Sequence, residues 1–272
     1  MTPILGLDVS RHNWRRGVPY RLLPPMHRAG IRFLIGRASI GTEPDRSFDD
    51  NRAKATHRGW IPGAYHYLVA DNPWQQANEF ADRIAATGGS DGLLIAVDLE
   101  GGTDSYADVV RFMERLRDRI PRHPIGLYTN RSTWARLGSH DATDLFDWLW
   151  QALYLLNHQS PPITVPAKPP RGFGGLPTTM WQPGPFVFGG HRLDGDTFYS
   201  SMAELHALAT QRERVPIESR PAYRAGYVWM VATAALAVET LLISDGSPAN
   251  KAGQTAARDD AADAARELRL VP

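Results

Sequence analysis

The chain has 272 residues, enough for one barrel-sized domain with a large core plus a small appendage. Lys and Arg total 30 against 29 Asp and Glu, so neither nucleic acid nor an acidic polymer is indicated as partner by charge. There is no cysteine, which excludes disulfides, thiolate metal sites and a cysteine nucleophile.

The amino-terminal run Met1 to Ser10 has neither a basic n-region nor an apolar h-region, so no secretory signal is expected and the fold starts almost at once. Ile4 to Ser10 reads as a strand bearing Asp8 near its tip. Pro19 to Arg28 reads as a helix whose first half is disturbed by Pro24-Pro25, and Gly30 stops it. Ile31 to Ala38 is a second strand, Phe48 to His57 a helix, and Pro62 to Val69 a third strand. Pro73 to Thr87 is helical, with Pro at its start and Ala77, Phe80, Ala81 and Ile84 on one stripe.

Leu93 to Val97 is too short for a helix and suits a strand covered on both faces; it leads into Asp98-Leu99-Glu100 and Gly101-Gly102. At the two-residue period of a strand, Asp98 and Glu100 project to one side and Leu99 to the other. Tyr106 to Arg119 is a strong amphipathic helix, Pro124 to Asn130 a fifth strand, Ser132 to Leu137 a short helix, and Trp148 to Tyr154 a sixth strand. The alternation then fails, because Gln159 to Gly175 is rich in Pro and Gly. Thr178 to Gln182 and Leu193 to Tyr199 are the last strands, and Met202 to Glu213 a closing helix.

Eight strands with helices between most of them give an α/β fold, an irregular or incomplete (β/α)8 barrel over residues 1-212. The C-terminal strand ends of such a barrel carry its chemistry. Here they bear Asp8, Arg37, Tyr65-His66-Tyr67, Asp98 with Glu100, Tyr128, Tyr154, Trp181 with Gln182, and Asp194 with Asp196. A mouth lined by carboxylates and aromatic rings suits a sugar: rings stack on its apolar faces, and carboxylates bind hydroxyls or move protons. A carbohydrate-cleaving enzyme is the expectation.

After Arg212 the character changes. Residues 213-222 read as a linker and 223-272 as a small C-terminal α-helical hairpin. Its first arm is an apolar run of 19 residues, Ala225 to Ile243, interrupted by Glu239; its second is an amphipathic helix, Thr255 to Leu270. Glu239 and the many alanines disfavour a membrane span. Cell-wall binding, self-association and attachment to a virion are the roles weighed for this tail.

Ordered motifs span residues 4 to 200: Gly6-Leu7-Asp8-Val9-Ser10, Phe33 to Ser39, Gly63-Ala64-Tyr65-His66-Tyr67, Val97-Asp98-Leu99-Glu100, Leu127-Tyr128-Thr129-Asn130, Trp150 to Tyr154, Met180-Trp181-Gln182 and Asp194-Gly195-Asp196-Thr197-Phe198. In order and spacing they resemble glycoside hydrolase family 25, the phage and bacterial N-acetylmuramidases that cut peptidoglycan. The resemblance implies Glu100 as general acid, Asp98 as assisting carboxylate, and Asp8 and Asp194 as further catalytic-groove acids. It implies Tyr65, His66, Tyr128, Tyr154 and Trp181 at the sugar subsites, no metal and no cofactor, with bacterial peptidoglycan as partner. The lack of an expected secretory signal fits a phage product made in the host cytoplasm that reaches the wall by holin-type release or as part of the virion. Two positions depart: Arg37 stands where the family usually has Lys, and Ile40 where it has Glu, with Glu43 a candidate substitute.

Carboxylates on one face of one strand start about 6.6 Å apart at their roots, between the ranges for retaining and inverting pairs. They also approach from one wall, which suits an acid with a helper better than an acid with an opposite-face base. The expectation is therefore substrate assistance by the 2-acetamido group. Two alternatives are a metal-dependent polysaccharide deacetylase with Asp8, His66, Asp98 and Asp194 as ligands, and a sugar-binding virion protein without turnover. No second histidine lies at a ligand spacing from His66, which counts against the first; retention of both Asp98 and Glu100 counts against the second.

Overall fold

The structure is a computed structural model that describes residues 2–210. The expected hairpin and its linker lie outside the described residues, as does the end of the expected closing helix.

Nine strands are described: β1 (Ile4–Val9), β2 (Ile31–Ile40), β3 (Glu43–Pro44), β4 (Ile61–Tyr67), β5 (Leu94–Asp98), β6 (Ile125–Thr129), β7 (Trp148–Ala152), β8 (Thr178–Phe188) and β9 (His191–Phe198). Their helices are α1 (Leu23–Arg28), α2 (Phe48–His57), α3 (Pro73–Ala86), α4 (Tyr106–Arg119), α5 (Arg131–Arg136) and α6 (Met202–Ala209). Pro24 and Pro25 do not disturb α1. They sit in its first turn, where a missing N–H costs nothing, and a short 3₁₀ turn, Tyr20–Leu22, leads in.

The sheet runs β1-β9-β8-β7-β6-β5-β4-β2-β3, and β1 also pairs with β2. The ladder therefore closes, with β3 a two-residue return beside β2 and the other eight strands forming the wall. The irregularity lies in strand direction. From β1 through β8 the wall is parallel, but β9 pairs antiparallel with both β8 and β1. β8 is also longer than the sequence indicates, because it runs on into a hairpin with β9.

Two layers follow from the period-2 alternation. Phe33, Ile35, Tyr65, Ala96, Tyr128, Trp148, Trp150 and Met180 pack together inside the barrel. Leu93, Ile95, Val97, Leu99, Leu127 and Leu149 turn outward onto the apolar stripes of α3 and α4, which include Ala77, Phe80, Val109, Phe112 and Leu116. Leu205 and Ala209 of α6 join the interior cluster beside Ile61 and Leu94, where strands begin, and so cover the end opposite the mouth. A capping box of Ser201 and Glu204 starts that helix.

Candidate active site

At the mouth, one cleft is lined by Asp8, Tyr65, Asp98, Glu100, Tyr128, Trp150, Tyr154, Gln182 and Asp194. The end of β5 is clamped from both sides: Leu68 N–H donates to Asp98 O at 3.1 Å, Leu99 N–H to Tyr128 O at 2.9 Å, and Thr129 Oγ1 to Leu99 O at 2.6 Å. Leu99 is thereby pinned in the outer layer while its two neighbours turn into the cleft.

The two carboxylates occupy different environments. Asp98 is 4% exposed, and its Oδ1 is buried with no hydrogen-bond partner among the described residues. Burial and the Glu100 charge hold its carboxyl well above the usual range, against opposing effects of Arg37 and the Glu100 N–H. Glu100 is half-buried and open to the cleft. Burial raises its carboxyl and the Asp194 charge adds to that, while a hydrogen donated by the Tyr128 hydroxyl, 3.1 Å from Oε1, would work the other way.

Beneath them, Asp8 and Asp196 form a buried acidic pair. Asp8 Oδ2 accepts from Gln182 Nε2 at 2.6 Å, Asp196 Oδ1 accepts from Trp150 Nε1 at 2.9 Å, and the two carboxyls adjoin. Burial pushes both well up, and for Asp8 the charges of Asp196, Asp194 and Asp98 push further. Two carboxyls this close share a proton more readily than they both ionise. Asp194 lies exposed at the rim, opposite Asp8 in the β1–β9 register. It is raised by the partial shielding of the wall.

Tyr65, Tyr128 and Tyr154 reach the cleft as the sequence indicates, but two expected subsite residues do not. His66 is fully buried on the outer face of β4 between Phe80 and Phe112, bonded to Ser39 Oγ at 2.8 Å and near Gln76 Oε1 at 3.3 Å. Burial lowers its pKa to about 3. Trp181 is buried on the outer face of β8, where its indole N–H donates to Leu153 O at 2.8 Å and its ring stacks on Tyr199. In both cases alternation sends the residue out and its neighbours, Tyr65 and Gln182, in. With His66 on the outer face, the ligand set Asp8, His66, Asp98 and Asp194 is not assembled. No group of three or more His, Asp or Glu among the described residues is arranged to hold a metal ion.

Glu43 stands opposite Ile40 in the β2–β3 register, exposed and outside the cleft lining. Arg37 is 6% exposed and paired at 3.0 Å with Asp45, a residue the motifs do not single out. Burial works to raise Asp45, but hydrogen bonds from Ser47 and Arg11 and the Arg37 charge outweigh it and hold it low. Sequence reasoning also left Gln182, Trp150 and Asp196 without roles.

Against known families, residues 7–182 match the model described as Glycosyl hydrolases family 25. The chain belongs to glycosyl hydrolase family 25. It is accordingly a glycoside hydrolase, and the family's solved structures share its fold. The bacterial lysozyme from Streptomyces coelicolor is 26% identical, with 77% of this chain and 98% of that one covered at a TM-score of 0.61. A family GH25 lysozyme from Aspergillus fumigatus is 24% identical over 77% of this chain and 100% of its own, with a TM-score of 0.61. The catalytic domain of an endolysin from a bacteriophage of Listeria monocytogenes is 20% identical over 76% and 98%, with a TM-score of 0.55. A comparison with curated proteins gives no match.

Proposed function

We propose that this family 25 enzyme cleaves the β-1,4 bond between N-acetylmuramic acid and N-acetylglucosamine of peptidoglycan, with Glu100 as the acid and Asp98 as the helper. The observation that carries the reading is the contrast within the cleft: an accessible Glu100 carboxyl beside a buried Asp98 whose Oδ1 has no partner. An unpartnered buried carboxylate oxygen is costly and invites an N–H donor. A 2-acetamido group supplies one.

In the first step the acetamido oxygen attacks the anomeric carbon, the glycosidic C–O bond breaks, and the Glu100 proton passes to the leaving oxygen. The resulting oxazolinium N–H is held by Asp98, which also offsets the positive charge. In the second step water attacks the anomeric carbon, Glu100 takes its proton, and the ring opens to restore the acetamide. The configuration at the anomeric carbon is retained. Tyr65, Tyr128 and Tyr154 form the aromatic wall against which sugars lie, and Asp194 stands at the rim.

Mass spectrometry of digested sacculi tests the bond and the acid. Fragments ending in reducing N-acetylmuramic acid are expected from the wild type, with losses of at least about 100-fold in Glu100→Gln and Asp98→Asn. Full activity in Glu100→Gln would overturn the assignment, and NMR of the first product anomer showing net inversion would overturn the substrate-assisted route. A phage-encoded lytic role belongs to the same proposal. The likeness in fold to a phage endolysin catalytic domain supports it, and lysis of intact bacteria by added protein tests it. No helix among the described residues is long and apolar enough to cross a membrane.

A further inference from the structure

The Tyr128 hydroxyl has one hydrogen and three oxygens around it: Gln182 Oε1 at 2.7 Å, Glu100 Oε1 at 3.1 Å and Tyr154 Oη at 3.2 Å. Which of them receives the hydrogen is decided two residues away. A side-chain amide is a donor at one end and an acceptor at the other. Gln182 Nε2 lies 2.6 Å from Asp8 Oδ2, so the nitrogen end is committed to a carboxylate that accepts. The Gln182 oxygen therefore faces Tyr128 and accepts its hydrogen, at the shortest of the three contacts.

The Asp8 oxygen that faces Gln182 accepts, whichever carboxyl of the Asp8–Asp196 pair carries their proton, since only one oxygen of a carboxyl can bear a hydrogen. The Asp196 Oδ1 accepts from the Trp150 indole N–H, and its Oδ2 is buried without a hydrogen-bond partner among the described residues. With its hydrogen committed to Gln182, Tyr128 presents only lone pairs to Glu100. A Glu100 carboxylate would meet those lone pairs without a hydrogen between them; a Glu100 carboxylic acid donates into them.

We propose that Gln182 is a positioning residue that fixes the direction of the hydrogen-bond chain Asp8–Gln182–Tyr128–Glu100 and so keeps Glu100 in its proton-donating form. This rests on the reading of Glu100 as the acid. It adds to that reading a reason why a carboxyl open to the cleft holds its proton until a glycosidic oxygen takes it. Gln182 does not touch the reacting atoms. It acts through Tyr128.

The test is the pH at which Glu100 loses its proton, read by NMR of enzyme labelled with 13C at the glutamate carboxyl, with Glu100→Gln to assign the signal, and in parallel by the alkaline limb of kcat/KM. In Gln182→Met the amide acceptor is gone, Tyr128 turns its hydrogen to Glu100 and stabilises the carboxylate. The limb is expected to fall by about one pH unit, a tenfold change in the deprotonation constant. Tyr128→Phe removes the acceptor of the Glu100 proton and is expected to lower the limb as well, and the double variant to match Tyr128→Phe alone.

An unchanged Glu100 titration in folded Gln182→Met overturns the proposal. So does a rise in Tyr128→Phe, the sign expected if Tyr128 were the donor to Glu100; that variant decides even if Gln182→Met does not fold. Wild-type protein that releases no reducing N-acetylmuramic acid ends falsifies the proposed reaction, while the NMR titration still reads the chain's direction.

Discussion

Asp194 stands at the rim yet bears on the acid below it, since its charge adds to the burial that raises Glu100. Asp194→Asn removes a negative neighbour without changing size, so Glu100 ionises at lower pH. The alkaline limb of kcat/KM is expected to move down by a few tenths of a pH unit to about one unit. A limb that stays in place, measured on soluble glycan at constant ionic strength, would detach Asp194 from the acid. At this scale the sequence conveys pairs better than faces. The one-residue gap between Asp98 and Glu100 put both on one side whatever the surroundings, and that is where they lie. His66 and Trp181 were placed wrongly for a physical reason: these strands are buried on both faces, so hydropathy does not distinguish interior from exterior. The polar tips of His66 and Trp181 find partners in the outer layer, Ser39 and Leu153, which no local pattern announces.

Among the elements, the amphipathic helices α3 and α4 were legible from their stripes, and the direction of β9 was not. Its direction explains a detail that a parallel barrel does not. A parallel last strand would bring Phe198 and Tyr199 to the mouth; an antiparallel one brings Asp194 there, opposite Asp8, with Asp196 one step deeper. The signal was present in Gly189-Gly190, a two-residue link between β8 and β9 with φ of 58° and 79°, as a tight hairpin turn requires. Gly190 has open space around its missing side chain, so Gly190→Ala tests backbone conformation alone and is expected to cost about 1–2 kcal/mol. Gly126 tests packing. A Cβ there would lie 2.4 Å from the buried ring of Trp148 on the neighbouring strand, so Gly126→Ala must displace a core indole. A loss of about 1–3 kcal/mol is expected, read as a lower denaturant midpoint with unchanged slope. A Gly126→Ala midpoint equal to wild type would mean that the interior has slack these contacts do not show.

For the whole molecule, the barrel was legible because a run of strands with helices behind them leaves few other architectures, and every cleft residue lies on or beside its strands. What no composition conveys is the energetic burden of the acidic floor. Asp8, Asp98 and Asp196 are buried and hold their protons more tightly folded than unfolded. An Asp in the unfolded chain ionises near pH 3.9, so from about pH 4 upward the unfolded state binds fewer protons and these groups make folding progressively less favourable. The buried histidines act oppositely. His66 and His123, lowered to about 3 and about 4, stay neutral in the fold while the unfolded chain takes up protons below about pH 6.5, so their contribution is lost on acidification. A wild-type stability curve superimposes the two, but a difference between variants separates them. Asp196→Asn keeps an oxygen for the Trp150 N–H and replaces the ionisable oxygen with an amide that donates to Asp8. Below pH 4 the variant and wild type are expected to have nearly equal Tm. Their difference should open as pH rises, reaching about 1 kcal/mol or more in favour of the variant at pH 7.5, a Tm gain of about 2–4 °C. The histidine contributions cancel in that difference, so a gap that is independent of pH, or one that favours the wild type at pH 7.5, would show that Asp196 ionises in the fold without cost.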